Sequence, residues 1–185
     1  MARFSFLALL ALPLVQLATA APLRFQAPAL AKRQVAFNFV ADYESFQISS
    51  GTAGDALAKA SAIFFDAFEG VDLVSVDDQT VKDIETMRSA ANEAETELFN
   101  PAISAADAAG DDELADALQR GKIANKVLKL AGNASKLRIQ IAKAEAEGNT
   151  ARVADLTPKL EDAETKMAKN AATDAKDSGL ESAFP

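Results

Sequence analysis

The feature that most constrains this chain is a mirror centred on Gly148-Asn149. Reading backwards from that pair, apolar or small residues recur at Ala144, Ile141, Leu137, Ala134, Leu130, Val127 and Ile123. Reading forwards, the matching positions are Val153, Leu156, Leu160, Ala163, Met167, Asn170 and Asp174. Both arms step alternately by three and four residues, which keeps one seam of an α-helix facing a partner. A Gly-Asn reversal between two such arms predicts a long antiparallel helical hairpin. The fold class that follows is all-α: an elongated helical bundle built on that hairpin.

Composition sharpens this picture. Apolar residues make up 49% of the chain and charged residues 25%, the balance of a folded protein. Much of the apolar share is alanine, which favours helix but offers little area to a core. Slender helices in close contact are expected. The chain has no cysteine, no histidine and no tryptophan. Disulfides, thiolate nucleophiles, a histidine-based triad and the usual zinc, copper and haem sites are therefore excluded.

The first 33 residues read as targeting and processing segments. Arg3 supplies a positive start, Phe4 to Leu14 an apolar run, and Ala18-Thr19-Ala20 a small-residue cleavage pattern. Residues 1–20 are read as a signal peptide cut after Ala20. The run is short for a membrane anchor, and Pro13 interrupts it. Residues 21–33 form a pro-segment ending in Lys32-Arg33, a pair suited to the acidic pocket of a subtilisin-like processing protease. The mature chain then starts at Gln34, contains a single helical domain over 34–177, and ends in a flexible tail over 178–185. It holds 15 cations against 27 acids, a net charge of −12. So acidic a chain is not expected to bind nucleic acid, and no later stretch could span a bilayer. The expected location is extracellular.

Within the domain, Asn38 is placed as the cap of a short helix carrying Phe39, Tyr43 and Phe46 on one face; the alternation Val35, Phe37, Phe39 would also suit a strand, but the sequence offers it no partner strand. A second helix is expected from Asp55 to Phe68, and a third from about Asp78 to Ala108, capped by Asp77 or Ser75. The seam of the third is Ile84, Met87, Ala91, Ala94 and Leu98. Pro101 should kink or divide it, and Gly110 should close it. Gly121 and Gly132 fall off the hairpin seam and are expected to cost helix propensity without touching the core. Pro158 occupies the outermost position of its heptad.

Charge alternates in blocks. Thirteen acids and two cations lie between Asp72 and Asp116. Then come seven cations and no acid: Arg120, Lys122, Lys126, Lys129, Lys136, Arg138 and Lys143. Opposite blocks on successive helices can pair inside a bundle. The alternative is a basic interaction stripe for an anionic partner. Asp111-Asp112-Glu113 lacks the spacing of a calcium loop and reads as a helix start. Gly51-Thr52-Ala53-Gly54 is a bare turn, not a phosphate loop. No catalytic residues, cofactor or metal site are assigned. Asn133-Ala134-Ser135 is a glycosylation sequon, which makes Asn133 a candidate site.

The order of these features resembles the small secreted proteins of basidiomycete fungi. The likeness rests on the leader with its Lys-Arg site, Ile48-Ser-Ser-Gly-Thr-Ala-Gly54, Phe99-Asn-Pro-Ala-Ile103, and Gly121-Lys-Ile-Ala-Asn-Lys-Val-Leu-Lys-Leu130. It implies a fungal extracellular protein acting in signalling, host interaction or regulation of extracellular enzymes, with no catalytic residues to carry over. The expected function is a secreted, non-enzymatic interaction protein whose partner is an extracellular protein, a cell-wall component or an apolar ligand. Two rivals are a carrier or surface-binding protein for lipids, and a hydrolase.

Overall fold

The computed structural model describes residues 35–185. Over this span the helices are α1 (Tyr43–Phe46), α2 (Ala56–Phe64), α3 (Asp78–Ala94), α4 (Asn100–Ala109), α5 (Asp112–Ala146) and α6 (Thr150–Lys176). Two-residue strands β1 (Gly51–Thr52) and β2 (Glu181–Ser182) pair antiparallel.

The hairpin is α5 and α6, and its turn is built as the sequence requires. Gly148 takes φ +69, a conformation that side chains disfavour. The Asn149 N–H reaches the Ala144 carbonyl at 2.8 Å and the Gly148 N–H reaches Glu145 at 3.0 Å, which together satisfy the last carbonyls of α5. The Asn149 side chain then accepts from the Arg152 N–H at 3.1 Å and opens α6. The buried residues of α6 are Leu156, Ala163, Met167 and Asp174, and all four lie on the expected seam. Leu137, Leu156 and Ala163 form one apolar cluster, with Leu130, Ile141 and Leu160 packed against it. Pro158 is exposed, at the rim of a cleft it shares with Asn133 and Leu137 of α5.

Helix α5 differs from α6 in being covered on several sides. Besides the seam it buries Ala117, Leu118, Gly121, Ala124, Asn125, Leu128, Ala131, Gly132, Ser135 and Ile139. Helices α2, α3, α4 and α6 all pack on it. The largest cluster joins Ala124, Val127, Leu128, Ala131 and Ile139 to Phe64 of α2 and to Ile84, Met87 and Ala91 of α3. Gly121 and Gly132 are therefore core positions, contrary to the expectation that they make no core contact. A Cβ on Gly132 would sit 3.1 Å from the Phe64 ring and 3.3 Å from the Arg88 side chain. One on Gly121 would collide with the Ala183 carbonyl oxygen and lie 3.2 Å from Phe99.

The third predicted helix is divided. Asp77 caps α3, accepting from the Thr80 N–H at 2.8 Å. Ile84, Met87, Ala91 and Ala94 are buried as expected, but Leu98 is 40% exposed and Phe99 is fully buried. A π-turn over Glu95–Phe99 separates α3 from α4. The Pro101 ring would clash with the carbonyl four residues back, and the widened turn relieves this. Widening inserts one residue into the repeat, so the buried stripe moves from position 98 to 99. Gly110, at φ 72, ends α4.

Three further expectations are corrected. The first helix spans only Tyr43–Phe46 and is capped by Asp42, while Phe39 is 42% exposed in extended chain. The α-helix beginning after Asp55 stops at Phe64 and continues as a 3₁₀ turn over Asp66–Phe68. Finally, residues 178–185 are not a flexible tail. Beyond Gly179 (φ +85) the chain pairs with β1, and Ser182 is buried. Phe184 lies 5.8 Å from Tyr43 and 6.0 Å from Phe99, ring to ring. These contacts lie far away in sequence, so the tail's local polarity does not reveal them.

Candidate functional site

Asn125 is buried in the middle of α5, where an unpartnered amide would be costly. Its amide donates to the Ala91 carbonyl of α3 at 2.8 Å, and its Oδ1 accepts from the Tyr43 hydroxyl at 2.8 Å. Burial pushes the Tyr43 phenol up to about 12, so it remains a donor at any ordinary pH. The buried Ser49 hydroxyl lies beside that phenol without a hydrogen bond of good geometry. This polar cluster joins α1, α3 and α5. Tyr43 was legible only as a packing residue, and nothing in the heptad pattern singles out Asn125.

The seven cations of α5 are not gathered into one stripe. Lys136 binds Glu85 of α3 at 2.7 Å and Lys143 binds Asp78 at 2.6 Å. Lys129 pairs with Glu95, Lys126 stands 3.6 Å from the same carboxylate, and Lys122 adds its charge there. Arg138 turns the other way, to Glu164 of α6 at 2.7 Å, with its guanidinium 4.6 Å from the Phe65 ring centre. Arg120 donates to the Glu181 carbonyl of the tail.

These pairs leave marks on the acids. Partial burial raises the Glu85 carboxyl, but hydrogen bonds from Arg88 and Lys136 outweigh it and hold the group at about 2. Glu95 is likewise raised by burial and lowered more by Lys129, ending below the usual carboxylate range. The hydrogen bond from Lys143 lowers Asp78.

Among the described residues, no three acidic side chains converge to hold a metal ion. Asp111 caps α5, accepting from the Leu114 N–H at 3.1 Å. Asn133 is half-buried in mid-helix beside Pro158 and Lys159, and its sequon serine, Ser135, is buried. A glycan on Asn133 would have to be added before the bundle closes. Ala20, Lys32 and Arg33 lie outside the described residues.

Two apolar grooves indent the bundle. One, of about 410 Å³, is lined by Phe65, Phe68, Val71, Leu73 and Ile139, with Arg138 at its edge. The other, of about 530 Å³, lies between α2 and the segment before it and includes Val40, Phe46, Ile63 and Lys59. Both fall in the size range of small-ligand sites. Among the described residues no helix is long and apolar enough to cross a membrane.

The chain belongs to the family described as a domain of unknown function, DUF8454, whose model matches residues 37–184. The match includes the C-terminal segment packed against Tyr43 and Phe99. No curated protein and no solved structure matches the chain.

Proposed function

We propose that this member of the DUF8454 family is a secreted, non-enzymatic interaction protein of a fungus, acting in signalling, host contact or regulation of extracellular enzymes. The leader with its Lys32-Arg33 site and the resemblance to small secreted basidiomycete proteins support secretion. The observation that carries the interaction reading is the disposition of charge. Cations that could have formed an outward stripe are drawn to acids of α3, of the π-turn that follows it and of α6. A polyanion would have to break those pairs. Apolar grooves and exposed leucines remain to engage a neutral or weakly charged partner. A chain lacking His and Cys also lacks the common nucleophile–base couples.

The test is capture. The mature chain, immobilised and exposed to culture fluid and to wall extract, should retain a specific protein or wall component identifiable by mass spectrometry. Retention no greater than that of a heat-unfolded control, with turnover in a broad hydrolase screen, would overturn the reading.

The 410 Å³ groove favours a second reading, a carrier of apolar ligands. Binding of a fluorescent fatty acid, competed by unlabelled fatty acid and lost in Leu73→Glu at the half-buried groove wall, would select it.

A further inference from the structure

The last residues of the chain are seated across α5 as a ligand would be. Gly179 donates to the Ala53 carbonyl and Ala53 donates back to Leu180, each at 3.0 Å. Strand β2 then pairs with β1, setting Ser182 opposite Gly51. Alternate side chains of an extended segment face the same way. Here Ser182 and Phe184 dock on one side, while Ala183 between them packs against Ala106, Ala115 and Leu118. The Ser182 hydroxyl donates to the Ser49 carbonyl at 2.6 Å, and Phe184 enters an aromatic pocket formed by Tyr43 and Phe99. Between them, the Ala183 N–H donates to the Ala117 carbonyl of α5 at 3.0 Å. Gly121 is the floor of this groove: without a side chain it lets the Ala183 carbonyl lie flat on the helix. The Ser49 hydroxyl, buried and without a well-formed hydrogen bond, lies beside Tyr43 in the pocket wall.

We propose that this groove is a peptide-recognition site, occupied here by the chain's own residues 180–184. The partner it fits is an extended segment with a small hydroxyl residue followed two positions later by an aromatic one. Main-chain pairing supplies the grip, while the Ser49 carbonyl and the Tyr43–Phe99 pocket read the two side chains, as in strand-addition recognition. The own tail competes at an effective concentration of about millimolar, so the site is self-occupied until a better or more concentrated segment arrives. Gly179 is the hinge about which the tail lifts. This inference rests on the interaction reading above and names the kind of partner.

The test uses the full mature chain and a fluorescein-labelled hexapeptide with the sequence of residues 180–185, read by fluorescence polarisation. Phe184→Ala weakens the cis occupant and should bind the peptide at least tenfold more tightly than the unsubstituted chain. Adding Gly121→Ala to it should abolish binding, as should replacing the peptide's own phenylalanine by alanine. A folded Phe184→Ala chain that binds no better than the parent overturns the proposal. Should that variant not fold, hydrogen exchange at the Ala183 amide of the parent chain decides: millimolar peptide should accelerate it several-fold, and no acceleration overturns the proposal. If Gly121→Ala still captures the same partner from culture fluid, the interaction reading stands and this site falls.

Discussion

Truncating Leu137 to alanine tests whether α5 and α6 are held by the mirrored seam. Leu137 is 4% exposed and packs with Leu156 and Ala163, while Leu160 is half-buried against the same cluster. The change removes three carbons, about 2.4 kcal/mol at roughly 0.8 kcal/mol per buried methylene. A rigid cavity would add to this, but Leu137 and Leu156 also line a cleft open to solvent beside Pro158. Collapse or water entry keeps the cavity contribution small, so the total should be about 2–3 kcal/mol, in the lower half of the range for buried leucines. Leu160→Ala, already part-solvated, should cost about 1 kcal/mol. Because both side chains share one cluster, the double variant should fall short of the sum by about 0.5–1 kcal/mol. In thermal melts followed by circular dichroism the Leu137 variant should lose roughly 4–12 °C. The exposed Leu57→Ala should move the midpoint little. An unmoved midpoint for Leu137→Ala would refute the seam, and strict additivity of the pair would refute their packing together.

Glu85 is held at about 2 in the folded state and near the usual carboxylate value when unfolded, so its contribution is present above roughly pH 4.5 and is lost as pH falls towards 2. Glu85→Gln should lower stability by about 0.5–1 kcal/mol at pH 7, the group being partly exposed, and by almost nothing at pH 2, as read from urea midpoints at the two pH values. The Asp174 carboxylate accepts from the Ala56 N–H at 2.9 Å and so caps α2 from α6; Asp174→Ala should cost about 1–2 kcal/mol in the same assay. Gly132→Val should destabilise by about 1–3 kcal/mol, because the Phe64 ring occupies the space, whereas Gly132→Ala should stay within about 1 kcal/mol of the parent. Intact-mass analysis of secreted protein should give a chain starting at Gln34, and a product retaining residues 21–33 would refute cleavage after Lys32-Arg33.

What could be read in advance divides by mechanism. The hairpin was legible because a seam facing one partner writes a single period into the sequence. Asp174 shows where that period misleads: it is a seam position, but its carboxylate serves the N-terminus of α2, which only the tertiary arrangement brings near. Pro101 announces a break without saying how the helix absorbs it, so the exchange of Leu98 for Phe99 could not be read from the seam. The groove around the tail was hidden because its parts, residues 43, 49, 99, 117, 121 and 182–184, come from separate elements that no single period links. The basic residues were legible as a set, but not which acid each would meet.

The remaining gap has one cause, the small residues of α5. A helix that must accept neighbours on several sides cannot carry bulk on all of them, since inter-axis distances would then exceed what the other helices can fill. Here the bulk comes from outside: Phe64 over Gly132, Phe99 over Gly121, and Ile84 and Met87 in a cluster with Ala124 and Ala131. Alanine and glycine look weak when apolar area is counted along one chain, yet each marks a place where another element comes close. The same closeness brings the tail's main chain onto α5 at Gly121, so the feature that makes the central helix hard to read also forms the floor of the proposed recognition groove.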